Sequence, residues 1–303
     1  MFIVAIDIGG TDIKYGLIDE NGKILYSSKI DTEARKGKEE LLKKIFNIVE
    51  SYQMKNLISG IAISTTGQVD GKLGKVVGGT DLIPGWIGTD VVKILEKKYL
   101  VPVIIENDVN SAAIGEMWLG AGKNDNNFLC LTIGTGIGGG IILNRELFLG
   151  EGSVAAEFGH IQIEKNGKHC ACGKKGCYQT YASTTALLDF VYEELGIRIN
   201  GLEFFQRVKN GNKIENEILI KWIDYLCDGL SSLIYIFNPK KIILGGGISK
   251  QGDFLKDIII ENLNKKLMKN YLDILEIKMA ELGNDAGLLG ATYILLKKIE
   301  KNY

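Results

Sequence analysis

Apolar residues fall into short uninterrupted runs and into longer striped segments, and the two kinds alternate along the chain. The short runs predict buried strands, at 3–8, 13–18, 60–64, 104–106, 128–133, 137–143 and 241–244. The stripes have helical spacing and predict helices at 38–52, 90–98, 109–119, 184–194, 219–237 and 286–298. Strands that alternate with helices are typical of α/β layers around a largely parallel sheet. The pattern therefore predicts an α/β fold.

Two of the strand pairs enclose a glycine-rich turn. The first turn is Asp7-Ile8-Gly9-Gly10-Thr11, and Ile133-Gly134-Thr135-Gly136 repeats it about 125 residues later. Glycine lets the backbone approach a ligand closely, and successive N–H groups in such a turn form an anion site. A repeat at this distance predicts two copies of one domain facing each other, with a polyphosphate held between their turns. An ordinary hairpin is the alternative for either turn alone.

Neither turn fits the two common phosphate-binding motifs. Neither has the pattern Gly-x-x-x-x-Gly-Lys-Ser/Thr, and neither opens a helix with the dinucleotide fingerprint. The sequence therefore argues against a P-loop enzyme and against a Rossmann-type dinucleotide site.

Length and composition limit the class of protein. The chain has 303 residues, which favours two domains, and 46% of them are apolar with only 3 Pro, as in globular proteins. The 36 basic and 37 acidic residues leave a net charge of −1, so no nucleic acid or membrane partner is expected. The uncharged run 126–144 contains five Gly and three Asn and predicts a hairpin, not a membrane span. Because no secretory signal precedes the first strand, a cytoplasmic protein is expected.

Asp108 stands at the carboxyl end of the strand that ends at Glu106-Asn107. Ligand crevices of α/β proteins lie at such strand ends. Asp is also a preferred N-cap for a helix that begins at Val109, and the residues alone leave both interpretations open. Asp7, just before the first turn, could hold a cation.

Three of the five cysteines, Cys170, Cys172 and Cys177, lie within eight residues. Three cysteines cannot form two disulfides, whereas thiolates with one imidazole form the tetrahedral ligand set of structural zinc. The chain has only 2 His, so either His160 or His169 would be the fourth ligand. The cluster predicts a structural zinc site.

Several segments together resemble the ROK family of sugar kinases and sugar-sensing repressors. They are Asp7 to Thr11, Glu106-Asn107-Asp108, Ile133 to Gly140, and Ala156-Glu157-Phe158-Gly159-His160 followed by Cys170 to Cys177. The resemblance runs from Ile3 to about Leu296. It implies a two-lobed, actin-like (ribonuclease-H-like) ATPase fold with the active-site cleft between the lobes. The expected domains are a small one at 1–115 plus 287–303 and a large, zinc-carrying one at 116–286.

The resemblance also implies roles for individual residues, with ATP, Mg²⁺ and structural Zn²⁺ as cofactors. Asp108 would be the catalytic base. The substrate-binding residues would be Gly67, Asn107, Glu157, His160 and Gln179. The residues that bind ATP and its magnesium would be Asp7, Gly9, Gly10, Thr11, Gly134, Thr135, Gly136, Gly245 and Gly246. The zinc ligands would be His160, Cys170, Cys172 and Cys177. A plain strand-to-helix turn is the alternative for the Gly245-Gly246 pair.

The implied activity is that of an ATP-dependent hexose kinase acting on the 6-hydroxyl, most like a glucokinase and expected as a homodimer. One departure concerns the substrate, because Gln179 stands where the family usually has Glu. A neutral amide forms a weaker hydrogen bond than a carboxylate, so N-acetylmannosamine or a β-glucoside is the alternative acceptor.

Two alternatives to a kinase would have no catalytic activity. A repressor would need an additional helix-turn-helix module before the turn that starts at Asp7, and we expect none. A non-catalytic sugar sensor is the remaining alternative, and the presence of Asp108 and of both turns argues against it.

Overall fold

The computed structural model describes residues 1–79 and 82–301, and the fold is mixed α/β, as predicted. In this part of the chain the strands are β1 (Phe2–Ile8), β2 (Asp12–Asp19), β3 (Ile24–Asp31), β4 (Gly60–Thr65), β5 (Gln68–Asp70), β6 (Lys75–Gly78), β7 (Val103–Asn107), β8 (Phe128–Ile133), β9 (Ile137–Leu143), β10 (Glu146–Leu147), β11 (Lys241–Gly245) and β12 (Glu276–Met279). The α-helices are α1 (Lys38–Gln53), α2 (Val91–Tyr99), α3 (Asp108–Leu119), α4 (Gln179–Ala182), α5 (Thr184–Leu195), α6 (Gly201–Lys209), α7 (Lys213–Phe237), α8 (Asp253–Lys266), α9 (Lys269–Leu272) and α10 (Ala286–Lys301).

The two large sheets have the same strand order. The first runs β3-β2-β1-β4-β7 and the second β10-β9-β8-β11-β12, so each strand of one sheet has a counterpart in the other. In the first sheet β1 is antiparallel to β2 and parallel to β4, and β4 is parallel to β7. In the second, β11 is parallel to both β8 and β12. The repeat predicted from the two glycine-rich turns thus extends to whole sheets.

The chain forms two compact units. The first comprises Met1–Asn124, Gly140–Ala155 and Asn284–Tyr303, and the second Asp125–Gly139 and Ala156–Gly283. The domain boundaries expected from the sequence, 1–115 plus 287–303 and 116–286, stay a prediction. Positions 302 and 303 of that expectation lie outside the described residues.

The core of the first unit forms because its central strands are apolar along most of their length. All six residues of β4 are buried, as are Ile3 to Ile6 of β1. Helix α1 buries Leu41, Ile45, Ile48 and Val49, which recur at the spacing of one helical face. This one-sided burial seats α1 against the sheet and leaves its charged face in solvent.

Glycines bring α10 close to α3 in the first unit. A Cβ on Gly290 would overlap the Ser111 carbonyl of α3, and a Cβ on Gly115 would overlap the Ala286 carbonyl of α10. Only glycine permits backbones to approach so closely. This contact positions α3, the helix that begins at Asp108.

The second unit is organised around α7, which begins at Lys213, six residues before the predicted start at Leu219. The first turns of this helix are rich in polar residues, and even the charged Glu215 is buried. A search for apolar spacing therefore does not detect where the helix begins. Its indole Trp222 Nε1 donates a 3.0 Å hydrogen bond to the Ser183 carbonyl, and the Ser183 side chain caps α5 by accepting from Ala186 N at 3.1 Å. The helix thereby anchors the start of α5.

No helix within residues 1–79 and 82–301 combines the length and apolar character that crossing a bilayer requires.

Candidate active site and metal centre

Polar side chains of the first unit meet where β1, β4 and β7 end. The parallel registers place Asp7 opposite Ser64 and Ser64 opposite Glu106. The Ser64 hydroxyl donates a 2.6 Å hydrogen bond to Asp7 Oδ1. Three strands that are neighbours in the sheet therefore present Asp, Ser and Glu in one row.

Asn107, not Asp108, is the N-cap of α3. Its Oδ1 accepts from Val109 N at 2.9 Å and from Asn110 N at 3.0 Å. The helix begins at Asp108 itself, and Asp108 Oδ1 accepts from Val109 N at 2.9 Å. The capping interpretation of Asp108 is therefore wrong, because the preceding residue takes that task.

Asn107 also joins two other predicted site residues. Its Nδ2 donates to the Gly67 carbonyl at 2.8 Å and to Asp108 Oδ1 at 3.0 Å. Gly67 has a φ of 97°, which favours glycine, and so its carbonyl can turn toward Asn107. The structure thus brings Gly67, Asn107 and Asp108 together.

The surroundings of the two aspartates disfavour their charged forms. Burial raises the pKa of Asp108 from 3.8 to about 7, and repulsion from Asp7 adds to the rise. Burial also raises the pKa of Asp7, against the hydrogen bond from Ser64 and the attraction of Lys14. Asp108 nevertheless keeps a partly accessible surface. A carboxyl that titrates near neutrality and can be reached by a ligand is suited to proton transfer.

The first glycine-rich turn is exposed but firmly held. Gly9 N donates to the Asp12 carbonyl at 3.0 Å, and the Thr32 hydroxyl donates to the Gly9 carbonyl at 2.7 Å. Gly10 and Thr11 at its tip are exposed. The turn can therefore present its backbone to a ligand without reorganising.

Lys14 lies one strand away from Asp7, in the register position directly opposite it. Lys14 Nζ forms an ion pair with Asp285 Oδ1 at 2.5 Å and donates to the Asn284 carbonyl at 3.0 Å. These partners lie about 270 positions later in the chain, which is why no local pattern shows them.

The second glycine-rich turn lies beside the Gly245-Gly246 pair in the second unit. Gly134 N donates to the Gly136 carbonyl at 3.0 Å, and Thr184 N donates to the Gly134 carbonyl at 2.9 Å. A Cβ on Gly246, whose φ is 81°, would overlap the backbone of Ile133. The Gly245-Gly246 pair therefore packs against the residue that directly precedes the second turn.

His160, Cys170, Cys172 and Cys177 form a cluster whose ligand atoms all lie within 4.8 Å of one another. Tetrahedral zinc takes this set of donors. Burial would raise the pKa of the Cys170 thiol, but hydrogen bonds from the Cys172 backbone and from Gln179 outweigh it and lower that pKa to about 7. A thiolate, the form that binds metal, is thereby favoured.

The cluster resolves the choice between the two histidines, because His160 and not His169 belongs to it. His160 Nδ1 lies 3.7 Å from Cys170 Sγ, and its Nε2 lies 3.9 Å from Glu157 Oε2. The ring therefore directs one nitrogen to the cluster and the other to Glu157. His160 and Glu157 are both exposed and are therefore accessible to a ligand.

Gln179 is directed toward the cluster. Its Nε2 donates to Cys170 Sγ at 3.3 Å, and its Oε1 accepts from Ile137 N at 3.4 Å. The neighbouring Tyr178 is fully buried, and its hydroxyl donates to the Leu226 carbonyl of α7 at 2.6 Å. A Cβ on Gly229 would overlap the Tyr178 ring, so this glycine makes room for the anchor. Tyr178 thus fixes the backbone from which Gln179 extends.

Sequence reasoning missed three residues that shape the first unit's site: Ser64, Glu106 and Gly287. Glu106 Oε1 accepts from Asn107 N at 2.9 Å and from Asn110 Nδ2 at 3.0 Å. A Cβ on Gly287 would lie 2.9 Å from the Asp7 carboxyl, so the start of α10 closely approaches that side chain. The pair Gly287 and Gly290, spaced one turn apart, was the signal that could have indicated a close helix contact.

This geometry defines a class: an actin-like α/β ATPase fold with a carboxylate site, paired glycine turns and a zinc-type cluster. The model of the ROK family matches residues 3–298 of the chain. This protein belongs to the ROK family, as its motifs predicted.

Relatives and a solved structure agree with this assignment. A β-glucoside kinase from Listeria monocytogenes is 35% identical over 304 residues, and a glucokinase from Thermotoga maritima is 32% identical over 311 residues. In both comparisons 98% of each chain is covered. The crystal structure of a ROK family glucokinase from Streptomyces griseus in complex with glucose and AMPPNP is 31% identical, has a TM-score of 0.87, and covers 98% of this chain and 100% of that one.

Proposed function

We propose that this protein is an ATP-dependent sugar kinase that transfers the γ-phosphate to the 6-hydroxyl of glucose or a similar hexose. The observation that carries the proposal is Asp108, a partly accessible carboxyl at the start of α3 whose pKa is raised to about 7. The class of activity agrees with relatives and neighbours that are sugar kinases.

Phosphoryl transfer requires one proton acceptor and much positioning. The oxygen of the sugar hydroxyl bonds to the γ-phosphorus, the bond from that phosphorus to the ADP oxygen breaks, and the hydroxyl proton passes to Asp108. With a pKa near 7, Asp108 is ionised in a large share of molecules at neutral pH and can still retain a proton. Asn107 and Gly67, which are hydrogen-bonded to each other, would orient the neighbouring hydroxyls.

Asp7 suits a magnesium ion because magnesium prefers oxygen ligands and Asp7 offers a carboxylate. It lies near the end of β1, beside the exposed turn of Gly9, Gly10 and Thr11. When bound, Mg²⁺ supplies charge neutralisation on the phosphates of ATP. The turn itself would donate backbone N–H groups to those phosphates.

In the second unit, Gly134, Thr135 and Gly136 would bind phosphate, and Gly245 with Gly246 would lie against the adenosine. Glu157 and His160 would hold hydroxyls near the anomeric end of the sugar, with Gln179 close to them. His160 fits this double role because Nδ1 faces the cysteines while Nε2 is directed away from them.

His160, Cys170, Cys172 and Cys177 would hold a structural zinc ion, since three thiols and one imidazole match its preferred donors. Zinc would supply a cross-link that shapes the loop carrying His160 and takes no part in the reaction. We also propose that the protein acts in the cytoplasm as a homodimer, without nucleic acid or membrane partners.

A coupled ADP-release assay with glucose, mannose, N-acetylmannosamine, fructose and cellobiose tests the proposal, with Asp108→Asn as the inactive comparison. We expect at least one hexose to stimulate ADP release by the native protein. Sugar binding without ADP release would instead identify a non-catalytic sensor. N-acetylmannosamine and β-glucosides are the alternative acceptors, and the 35% identical β-glucoside kinase favours the latter.

A further inference from the structure

The side chain of Gln179 is half-buried, and its amide lies between the zinc-type cluster and the second glycine-rich turn. The amide nitrogen donates to Cys170 Sγ at 3.3 Å. The amide oxygen accepts from the N–H of Ile137, the residue directly after the turn, at 3.4 Å. All three residues belong to the second unit. One side chain therefore contacts both a predicted metal ligand and the end of a predicted phosphate-binding turn.

Two glycines make room for this amide. A Cβ on Gly136 would lie 2.7 Å from Gln179 Oε1, and a Cβ on Gly159 would lie 2.9 Å from the same atom. Only glycine permits so close an approach, and any other residue at either position would force the amide to shift. Gly136 is the last residue of the turn, and Gly159 directly precedes His160. The amide is thus packed against the turn and against the segment that carries the histidine of the cluster.

The two hydrogen bonds require one group that both donates and accepts. A metal-bound cysteine sulfur is a thiolate and can only accept, whereas the Ile137 N–H can only donate. An ionised carboxylate has no hydrogen to offer the sulfur and would be repelled by its charge. A carboxamide provides a donor at one end and an acceptor at the other, which matches what surrounds Gln179.

We propose that Gln179 is a positioning residue of the metal centre, which holds Cys170 Sγ toward the ion on one side and the end of the second glycine-rich turn on the other. This inference rests on the proposed zinc site and, for the turn, on the proposed nucleotide site. Groups that hydrogen-bond to metal ligands fix the orientation of those ligands. Because the same amide also holds Ile137, zinc and nucleotide favour each other's binding, and such coupling is reciprocal.

The zinc affinity of the full-length protein, measured by competition with a chelator, tests the contact with Cys170. Gln179→Met keeps the length of the side chain and removes the donor, so it should weaken zinc binding about 10- to 100-fold. Gln179→Glu is the second variant, and it should weaken zinc binding at least as much because its charge faces the sulfur. Gln162→Met is the matched control, because the Gln162 amide donates to a carbonyl of the same loop, that of Lys175 at 3.1 Å, instead of to a sulfur. This control should keep its zinc affinity within about threefold of the native value, since no ligand loses its hydrogen bond.

Cobalt substitution gives a readout at the sulfur itself. A hydrogen bond withdraws electron density from a thiolate, and the thiolate-to-cobalt charge-transfer band moves to lower energy as the sulfur becomes more electron-rich. The band of cobalt-substituted Gln179→Met should therefore lie at lower energy than that of the native protein. Gln162→Met should keep the native band.

Calorimetric titration of ADP with Mg²⁺ into the zinc-loaded proteins tests the contact with the turn. Gln179→Met should bind ADP about fivefold or more weakly than the native protein, as expected for two coupled sites. Gln162→Met should bind ADP as the native protein does. Thermal unfolding of each zinc-loaded variant establishes that the comparison is made between folded proteins.

The outcomes separate this inference from the proposals on which it rests. If the native protein binds no zinc, the metal-site proposal fails. If the native protein binds zinc but Gln179→Met has the same zinc affinity and cobalt band, only the role of Gln179 is overturned. Weakened zinc binding with unchanged ADP affinity overturns the coupling to the turn. The kinase proposal is decided separately, by whether a sugar stimulates ADP release by the native protein.

Discussion

The two sheets share one strand order, yet the residues at corresponding strand ends differ in chemistry: they are acidic or polar in the first sheet and small in the second. In the first sheet the row is Asp7, Ser64 and Glu106. In the second the matching row starts at Thr132, which lies opposite Gly245, and a Cβ on Gly245 would lie 3.5 Å from Ala280 Cβ. One copy of the fold thus presents carboxylates where the other presents small groups.

The difference shows how one architecture can serve two tasks. Side chains at a strand end can transfer protons or bind cations, and this requires acidic groups with perturbed pKa values. Small residues at the same strand end leave the backbone itself open to a ligand. Under the proposed function, the acidic row of the first sheet would serve the reacting hydroxyl and the cation, whereas the row of small residues in the second sheet would lie against the nucleotide.

The strongest test of the carboxylate row is Asp108→Asn. The amide cannot accept the hydroxyl proton, so we expect kcat to fall about 10²–10⁴-fold, the usual contribution of a general base. The measurement is kcat by ADP release, together with sugar binding by calorimetry, which should be retained. Asp257→Asn, an exposed carboxylate of α8, is the matched control and should keep full activity. If Asp108→Asn retained native kcat, another group would have to be the base.

The second unit's cluster can be broken at Cys172, whose side chain is exposed and contributes little packing. If the cluster holds zinc as proposed, Cys172→Ala should lose that ion and several kcal/mol of stability, because metal binding contributes directly to folding. Zinc content and thermal unfolding measure the two effects. Cys227→Ala removes a buried thiol of α7 and serves as the control, since it should lose stability while keeping its zinc. Zinc retained in Cys172→Ala would contradict the ligand assignment.

The elements predictable from the sequence were those encoded by neighbours in the chain. The apolar runs predicted β1, β4, β8 and β11, because a strand buried on both faces is apolar along most of its length. The cysteine cluster was also predictable, since three of its ligands lie within eight residues. Both signals are local, and tertiary structure does not override them.

The features that were missed depend on distant partners. Asn107, which caps α3, also donates to the carbonyl of Gly67, 40 positions away. The ion pair of Lys14 with Asp285 joins residues 271 positions apart. The inward orientation of Gln179 depends on Cys170 and on Ile137. Such pairings are set by packing, which no local pattern encodes.

The raised pKa of Asp108 predicts a pH dependence that the second unit's row, without carboxylates, cannot share. A carboxyl whose pKa rises from 3.8 unfolded to about 7 folded is favoured in its protonated form by folding. Its contribution to stability is therefore fully present below pH 3.8 and is lost as pH rises to 7. We compare the free energies of unfolding of Asp108→Asn and of the native protein in the absence of ligands. The value of the variant minus that of the native protein should increase by a few kcal/mol between pH 4 and 8.

Urea unfolding of both proteins across this pH range measures the difference, which contains the titration of Asp108 together with its repulsion from Asp7. The same pKa predicts that kcat/KM of the native protein falls as pH drops below about 7, because the base is then protonated. A difference in stability that is constant with pH would contradict the raised pKa.

The smallest expected effect concerns the backbone surface of the second unit. Gly246 has a φ of 81° and abuts the backbone of Ile133, whereas a Cβ on Gly245 meets only ordinary contacts at 3.5–3.6 Å. Gly246→Ala should destabilise by more than about 1 kcal/mol, because alanine does not tolerate a positive φ, and should raise KM for ATP several-fold by moving the loop from the end of β8. Gly245→Ala leaves the backbone in place and should have the smaller effect on both quantities. Equal effects of the two substitutions on KM for ATP would mean that the added methyl groups themselves contact the nucleotide. They would contradict the idea that the position of the backbone at this strand end determines nucleotide binding.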